Sequence, residues 1–573
     1  MIAKGRPAVA SQWIALGERA GAWGVQAAYL LPVIYLLVFF FYPLFEILRV
    51  SLAPEGALDL GALRELVIDP YYGRVFWFTT WQAGASTGLT LLLGLPAAYV
   101  FARYRFPGKD LLRALTTVPF VLPTLVVATA FSSLIGPRGW VNQALMALLG
   151  ASEPPIQAMH TLWIILAAHV FYNVTIVIRI VGGFWSNLDP RVEEAARVLG
   201  ASRWQTWRRI SLPLLWPSVA AAALLVFVFC FTSFGVILVL GGPRFATLEV
   251  EIYRQTVHLF HLPVAAALAL LQLAATFVVM AIYTRLQARV AVPLNLRPRQ
   301  SVEQPLPRGW AGIALGSVLA ALILLLIVPL VSLAARSIAW GGDDLLRYYR
   351  ELFINRRGSI LFVPPWESIR NSLMFAAGTV GLSLLMGVLS AYWLAHPRRG
   401  WRAFLDPVLM LPLGTSAVTL GFGMILALDE PPLNLRTSPL LVPIAHSLVA
   451  FPFVVRSLLP VLRSMNPHWR EAAGVLGANS WQVWRRIDLP IVSRAVIVGA
   501  VFAFTISMGE FGATALIARP DFPTMPVAIY RFLGQPGQLN YGQAVAMSVL
   551  LMMVCVLGLV GIERFRYAGV GEF

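Results

Sequence analysis

The stretch that decides the fold occurs twice in this chain. The first copy, residues 190–213, reads PRVEEAARVLGASRWQTWRRISLP, and the second copy, residues 467–490, reads PHWREAAGVLGANSWQVWRRIDLP. The second copy starts 277 residues after the first, and the two agree at 16 of 24 positions without a gap. Both are polar, arginine-rich segments that lie between long apolar segments. Such a duplication predicts a chain built from two similar halves.

The same offset relates residues well outside this segment. The matching pairs include Ala168-His169 with Ala445-His446, Phe234-Gly235 with Phe511-Gly512, and Ile252-Tyr253-Arg254 with Ile529-Tyr530-Arg531. A polar segment rich in Pro and Arg separates the two repeats. The pattern therefore predicts a first half at residues 1–291, a linker at 292–309 and a second half at 310–573.

The composition is that of a membrane protein. Of the 573 residues, 58% are hydrophobic and 12% are charged, with a mean hydropathy of +0.74. About twelve apolar stretches are long enough to cross a bilayer as helices, which needs about 20 residues each. Only helices or closed barrels satisfy the backbone inside lipid. The prediction is an all-α polytopic protein with about twelve transmembrane helices in two parallel six-helix repeats, at approximately 27–49, 76–102, 114–136, 159–183, 213–240, 263–285, 311–335, 371–395, 404–427, 439–461, 491–517 and 542–562.

The residues behind the net charge of +17 are placed between the predicted helices, and this distribution does not indicate a nucleic-acid-binding surface. Arginines crowd the short loops on one side of the predicted membrane, which include both copies of the duplicated segment and the linker. Positive loops are retained in the cytoplasm. We therefore expect both termini and both duplicated segments to be cytoplasmic, the first helix to be retained, and no nucleic acid to be bound. The two cysteines, Cys230 and Cys555, lie in apolar stretches and predict neither a disulfide framework nor a metal site.

Each copy has the features of a short helix. Pro190 and Pro467 suit a helix start, and Glu194 and Glu471 are expected in the first turn, where a carboxylate favours the helix dipole. Small helix formers follow, and Gly200 and Gly477 are expected to end the helix in a left-handed conformation. Pro213 and Pro490 are expected to open the next spanning helix. A single copy could be an ordinary amphipathic helix at the membrane surface, but two complete copies on one side argue against that interpretation.

With its Glu-Ala-Ala core, its Gly six residues after the Glu and its closing Ile-x-Leu-Pro, the segment resembles the "EAA" motif of ABC importer permeases. The resemblance implies two fused type-1 transmembrane domains of the MetI-like kind in a bacterial cytoplasmic membrane. In that family the motif forms a coupling helix that docks into a separate ATP-binding subunit. The coupling residues that it implies here are Glu194, Ala195, Ala196, Gly200, Glu471, Ala472, Ala473 and Gly477.

The partners are also implied by the resemblance. They are an ATP-binding subunit, expected in two copies, the lipid bilayer, and an extracytoplasmic substrate-binding protein that docks on loops near 50–75, 242–262, 336–369 and 519–540. The chain has only two lysines, Lys4 and Lys109, and no phosphate-binding GxxxxGK[ST] loop. We therefore expect no catalytic residue, metal or cofactor in this chain, and ATP to be hydrolysed by the partner.

Fused permeases of this size resemble two subgroups, the thiamine importers and the ferric-iron importers. Closer similarity to the thiamine permeases is seen in Ala168-His-Val-Phe-Tyr-Asn173 and Cys230-Phe-Thr-Ser-Phe234, and in Gly509-Glu-Phe-Gly512, where Glu replaces their Asp. The second EAA copy is fuller than is usual for thiamine permeases, which keeps ferric iron open. Thiamine is the predicted substrate, with ferric iron and other small solutes as alternatives.

Ionisable and polar groups inside spanning helices are candidates for the transport path. Glu510 is one, and its counterpart in the first half is Ser233. Tyr172 and Asn173 are others, because Val and Ala replace them in the second half. The competing interpretation of Glu510 is a carboxylate that joins helices by hydrogen bonds, and the duplicated His169 and His446 favour a shared structural role.

Two other classes of transporter are alternatives. A secondary transporter driven by an ion gradient would also have about twelve spans, but it would not need the duplicated EAA segment. An ABC exporter would usually carry its ATPase in the same chain. The sequence therefore favours an importer permease that works with a separate ATPase.

Overall fold

The structure is a computed structural model, and it describes residues 28–188, 190–290, 303–338, 344–356, 361, 363–395, 405–431 and 433–565. Lys4 and Arg6 of the N-terminus and the arginine-rich residues 398–402 lie outside the described residues. So does most of the predicted linker.

The described part of the chain is built almost entirely of helices. In the first half these are α1 Ala28–Leu52, α2 Pro70–Arg103, α3 Lys109–Val121, α4 Thr124–Ile135, α5 Leu162–Ser186, α6 Pro190–Val198, α7 Trp204–Phe231, α8 Leu248–Val257 and α9 Leu262–Leu286. In the second half they are α10 Trp310–Arg336, α11 Pro365–Ala395, α12 Asp406–Gly414, α13 Ala417–Leu428, α14 Leu441–Ser464, α15 Pro467–Val475, α16 Trp481–Gly509, α17 Gly512–Ile517, α18 Met525–Leu533 and α19 Gln538–Gly561. Shorter helices at Gly61–Ile68 and Trp140–Leu149 lie in the connections.

Ten of these helices are long and apolar enough to cross a membrane, and the number rises to twelve if each of two bent pairs is one span. The pairs are α3 with the segment that α4 begins, bent by 108°, and α12 with α13, bent by 100°. Pro123 has the extended ψ of 143° at the first bend, and Ser416 caps α13 at the second by accepting the N–H of Val418 at 3.1 Å. The sequence places prolines at both bends, which cannot continue a helical hydrogen-bond ladder. The prediction of about twelve transmembrane helices in two repeats is confirmed.

The first helix of the first half packs against the second half. The Tyr35 hydroxyl donates to the Ile444 carbonyl at 3.1 Å, and the ring of Tyr29 stacks on that of Trp393 at 5.9 Å. Tyr35, Leu36 and Phe40 belong to a hydrophobic core whose other buried members are second-half residues. The first helix of the second half packs against the first half in turn. α10 packs along α4, and the Ser332 hydroxyl donates to the Ala130 carbonyl at 3.5 Å. Neither half buries its apolar surface alone.

Within each half, small residues allow two spans to approach closely. A Cβ at Gly94 of α2 would lie 2.8 Å from Val177 of α5, and one at Gly387 of α11 would lie 2.6 Å from Val454 of α14. Helices in lipid associate largely by such close packing, since lipid supplies no hydrophobic drive between them. The pairs α2 with α5 and α11 with α14 are thus equivalent rigid units in the two halves.

The described end of the linker folds back onto the first half. Gln304–Pro305 pairs in parallel with Tyr104–Arg105, forming two strands of two residues each. The Lys109 ammonium lies 2.8 Å from the Glu303 carboxylate and also donates to the Tyr104 carbonyl at 2.7 Å. This attachment holds the start of the second half beside the loop that follows α2.

Candidate functional site

Both duplicated segments fold as the sequence predicts at their start and end. The helices α6 and α15 begin at Pro190 and Pro467, and Gly200 and Gly477 have φ of +88° and +82°. Beyond each glycine the backbone N–H of Ala201 or Ala478 donates back five residues at 3.0 Å, which satisfies a free helix carbonyl. Only glycine adopts this left-handed turn without strain.

One detail of the prediction is wrong. The carboxylate in the first turn of α6 is Glu193, and the first turn of α15 has none. Glu194 and Glu471 are the fifth residues of their helices, and both are exposed. Their surroundings differ, since Glu471 lies 2.9 Å from the imidazole Nδ1 of His468. Neither lies in the first turn, where a carboxylate would stabilise the helix dipole.

The small residues of the motif separate an inner and an outer face. Ala196 is buried and Ala473 is partly buried, whereas Ala195 and Ala472 are exposed. At the C-terminal tip of each helix two apolar side chains project into the open. Val198 and Leu199 are 86% and 88% exposed, and Val475 and Leu476 are 88% and 86% exposed. We call these four residues the apolar tips. Exposed apolar side chains at equivalent places in a repeat are typical of a protein contact.

The spanning helix after each segment starts earlier than predicted. Its first residues are Trp204 and Trp481, not the prolines at 213 and 490. A wider π-helical turn, Trp207–Ser211 and Trp484–Asp488, precedes each proline, and the helix continues through it. The wide turn accommodates a proline, which lacks an N–H to donate. The coupling segment is therefore continuous with α7 and with α16, apart from one short connection after its glycine.

Stacked tryptophans stiffen this entry into the span. The rings of Trp204 and Trp207 are 5.0 Å apart with an interplanar angle of 21°, and those of Trp481 and Trp484 are 4.8 Å apart with an angle of 22°. Such pairs contribute about 0.5–1.5 kcal/mol beyond the burial of their area. The sequence contains these tryptophans in both copies but does not show that they stack.

In each segment a polar contact joins the short helix to the base of the following span, and we call this contact the clasp. The two copies differ in which of the two positions carries the carboxylate. In the first copy Glu193 accepts from the Ser211 hydroxyl at 2.8 Å and pairs with Arg103 at 2.8 Å. In the second copy Arg470 stands in place of Glu193 and Asp488 in place of Ser211, and the guanidinium lies 2.9 Å from the carboxylate. The same two positions are thus joined in both halves, with the carboxylate moved from the helix to the span.

Removing Glu193 should destabilise the protein more than removing its second cation. The side chains of Arg103 and Glu193 are 10% and 19% exposed, so Glu193→Ala leaves a mostly buried guanidinium without its carboxylate and should cost about 2–3 kcal/mol. Arg197 reaches the same carboxylate only at 3.7 Å and is 49% exposed, so Arg197→Ala should cost about 0.5 kcal/mol or less. Thermal unfolding of the purified variants compares the two. Equal melting temperatures would show that the clasp carries no stability.

Glu510 is buried and fully engaged. Its carboxylate accepts the backbone N–H groups of Ala513 and Thr514 at 2.9 and 3.1 Å, and the Thr514 hydroxyl at 2.6 Å. The imidazole Nε2 of His446 lies 3.2 Å from it. The carboxylate therefore caps the start of α17 and ties it to α14. Of the two interpretations, the structure favours hydrogen bonding between helices over a free charge in a path.

The equivalent histidine of the first half makes a similar bridge. His169 lies 2.9 Å from the Ser233 hydroxyl on one ring nitrogen and 2.9 Å from the Ser86 hydroxyl on the other. His446 contacts Ser507 and Thr514 at 2.8 Å in the same way. In each half a buried histidine thus fastens the fourth span to the break that follows the fifth.

The other two path candidates also bond within the first half. The Tyr172 hydroxyl donates to the Leu122 carbonyl at 3.1 Å, at the bend between α3 and α4. Asn173 donates to the His169 carbonyl at 2.9 Å and lies 3.3 Å from the Cys230 sulfur. Asn173 is buried, whereas Tyr172 is partly buried and also interacts with Cys555 of the second half. Ser233 and Asn173 thus share His169 as a partner, whereas Tyr172 bonds at the bend and Glu510 bonds within the second half.

Aromatic side chains, which the sequence analysis did not single out as a site, do meet between the halves. Phe234 and Phe511 are equivalent in the repeat, and their rings stack at 5.4 Å with an interplanar angle of 20°. Tyr253 and Tyr530 are equivalent too, and each packs on the Phe of its own half at 5.4 Å. We call these four residues the aromatic cluster. The signal in the sequence was the 277-residue offset, which relates both pairs but does not show that they touch.

Among the described residues, no group of three or more His, Cys, Asp or Glu side chains is arranged to hold a metal ion. Both cysteines are buried and unpaired.

Comparison with known proteins agrees with this architecture. The protein family described as "Binding-protein-dependent transport system inner membrane component" matches residues 90–292 and 383–566, one match in each half. The thiamine transport system permease protein of Escherichia coli (strain K12) is 27% identical over 503 residues, covering 87% of this chain and 89% of that protein. The corresponding protein of Brucella abortus (strain 2308) is 28% identical over 509 residues, covering 88% and 89%.

Among solved structures, a bacterial ABC transporter involved in the import of the acidic polysaccharide alginate matches 48% of this chain and 99% of its own, at 17% identity and a TM-score of 0.41. The family match spans more than half of the chain and contains both duplicated segments. The chain therefore belongs to the family of inner-membrane components of binding-protein-dependent transport systems, as a multi-pass permease with two fused family domains.

Proposed function

We propose that this chain is the permease of an ATP-driven thiamine importer. The observation that carries the proposal is the pair of helices α6 and α15, each of which exposes an apolar tip after a complete EAA motif. The two tips give two equivalent docking places for two copies of an ATP-binding subunit. Thiamine is supported by the relatives from Escherichia coli and Brucella abortus, which are named as thiamine permeases and match the chain over most of its length.

The proposed orientation puts both coupling segments and both termini in the cytoplasm. Its support is the arginine content of the loops on that side, since positive loops are retained there. The substrate-binding protein would then dock on the opposite face, on the loops near 50–75, 242–262, 336–369 and 519–540. The proposed halves remain residues 1–291 and 310–573, and the family match ends at residue 292 in the first of them.

The mechanism follows from how the coupling helices are joined to the spans. ATP binding draws the two partner subunits together and moves α6 and α15 with them. The clasp ties each helix to the base of its span, and the stacked tryptophans make that base stiff. Movement of the loop is therefore passed to α7 and α16 rather than lost in a flexible connection. The halves then open outward to take the solute from the binding protein, and hydrolysis returns them to the inward-open state.

Uptake experiments test both parts of the proposal. Cells that express the chain with its ATP-binding subunit and binding protein should accumulate labelled thiamine, and they should do so only with ATP. The double substitution Glu194→Ala with Glu471→Ala should lower uptake and recovery of the ATP-binding subunit about tenfold, because two exposed contacts at a protein interface are lost. Glu430→Ala, at an exposed carboxylate between α13 and α14, is the matched control and should change neither.

Each of the other outcomes has a distinct meaning. Uptake of ferric iron in place of thiamine would keep the coupling assignment and replace the substrate. Uptake that continues without ATP would establish a secondary transporter. Unchanged uptake and assembly in the double variant would show that Glu194 and Glu471 take no part in coupling.

A further inference from the structure

The aromatic cluster lies on the line that separates the two halves. Phe234 and Phe511 are related by the repeat and stack face to face, so the axis of internal symmetry passes between their rings. Tyr253 and Tyr530 flank them, and their hydroxyls interact with each other. A contact between equivalent residues lies where the two halves meet, and both halves can move away from it.

The cluster is at the far end of the spans from the coupling segments. Phe234 follows the end of α7 and Phe511 follows the end of α16, at breaks in the helix. From Trp204 to Phe231 the helix has 28 residues, which at about 1.5 Å each makes about 42 Å. In the proposed orientation the cluster is therefore on the extracytoplasmic side, where the solute enters.

The rings are held together mainly by their own faces. Phe234, Phe511 and Tyr253 are 6%, 3% and 7% exposed, so the cluster closes this level of the structure. Gly235 permits the contact, because a Cβ there would lie 2.4 Å from the Thr124 hydroxyl and 3.2 Å from the Phe511 ring. Ring contacts of this kind are individually weak. Such a seal is weak enough to open in each transport cycle.

The carboxylates near the cluster have partners, and Glu249, one turn before Tyr253 on the same helix, is buried and accepts from the Gln272 amide with one oxygen. Glu510, beside Phe511, caps α17, and Glu251, on the same helix as Tyr253, pairs with Arg254 at 3.3 Å. Arg531 follows Tyr530 and interacts with Tyr253. The cluster therefore offers ring faces rather than a free carboxylate. Ring faces suit a planar organic ring and do not suit a ferric ion.

We propose that the aromatic cluster is a solute-binding site, and that it takes solutes with planar aromatic rings by stacking. A planar ring that enters between Phe234 and Phe511 breaks their one ring stack and forms two, one on each phenylalanine. Opening the halves thus exposes four aromatic faces at the moment when the binding protein releases its solute. The inference rests on the proposed thiamine function, since thiamine carries two planar heteroaromatic rings.

The test distinguishes stacking of the rings on the solute from closure of the contact between the halves. The chain is reconstituted in vesicles with its ATP-binding subunit and binding protein, and the thiamine imported per ATP hydrolysed is measured. Phe511→Leu and Tyr530→Leu keep an apolar side chain but remove a ring, so this ratio should fall about fivefold to tenfold. Tyr530→Phe keeps the ring, so it should stay within about twofold of the unsubstituted protein.

A leucine seals the contact as well as a ring does, so an unchanged ratio in the leucine variants would overturn the inference and leave the thiamine function intact. If Phe511→Leu does not assemble, Tyr530→Leu decides the matter, because Tyr530 is only partly buried. Import of ferric iron and not thiamine by the unsubstituted chain would overturn both the inference and the proposed substrate.

Discussion

Placing a carboxylate on each apolar tip should abolish ATP-driven uptake. In the double variant Leu199→Asp with Leu476→Asp, we expect recovery of the ATP-binding subunit with the permease to fall about a hundredfold or more, because central apolar contacts are each worth about 2 kcal/mol or more. A charge in that contact adds the cost of desolvating it. Co-purification measures assembly and uptake of labelled thiamine measures transport.

The fold should be insensitive to the same change. Leu199 and Leu476 are 88% and 86% exposed, so their substitution should alter the free energy of unfolding by no more than about 0.5 kcal/mol. Leu148→Asp is the matched control, since Leu148 is 81% exposed but lies in the connection between α4 and α5. It should leave co-purification unchanged. An equal loss in the control variant, or a tip variant that still assembles, would contradict the docking assignment.

The two coupling segments are alike in shape and different in charge. The clasp puts the carboxylate on α6 in the first half and on the base of α16 in the second. A chain that carries both segments can diverge in this way, because each copy is always built beside the same partner half. The exposed faces differ too, since Glu471 is engaged by His468, whereas Arg191 stands at the place of His468 in the first copy. Two identical ATP-binding subunits would therefore meet two related but unequal docking places.

The local features of the fold could be predicted from the sequence. Helix starts at Pro190 and Pro467, and left-handed ends at Gly200 and Gly477, depend on a few neighbouring residues. The spans depend on runs of apolar residues, and the bends depend on proline. These signals act over one helix at a time. That is why the number of spans and the position of both coupling helices agree with the structure.

Features that join distant parts of the chain could not be predicted. The packing of α1 on the second half depends on which surfaces fit, and the apolar pattern of a lipid-facing helix looks the same as that of a helix buried against protein. The clasp between Arg470 and Asp488 joins residues of opposite charge, but the sequence offers several such pairs. The aromatic cluster needs both halves at once. Its members were visible as repeat equivalents, without any indication of contact.

Glu510 shows why a residue type alone does not decide a role. A carboxylate in a spanning segment is a candidate for a path because its desolvation is costly. Here the break between α16 and α17 supplies the compensation, since two backbone N–H groups and the Thr514 hydroxyl donate to it. Its counterpart Ser233 contacts His169, just as Glu510 contacts His446, but the serine has no carboxylate to cap a helix. The difference between the halves is thus a difference in how each break is held together.

Glu510→Ala should therefore act on stability first. It leaves the N–H groups of Ala513 and Thr514 unpaired in a buried place, and we expect a loss of about 3–4 kcal/mol in the free energy of unfolding. Glu510→Gln keeps one oxygen as an acceptor and should cost about 1–2 kcal/mol. Thermal unfolding of the purified variants gives the order. Uptake per folded molecule should be nearly the same in the glutamine variant and the unsubstituted protein. A path carboxylate predicts the reverse, with stability retained in both variants and uptake lost equally in both, because glutamine and alanine alike remove the charge.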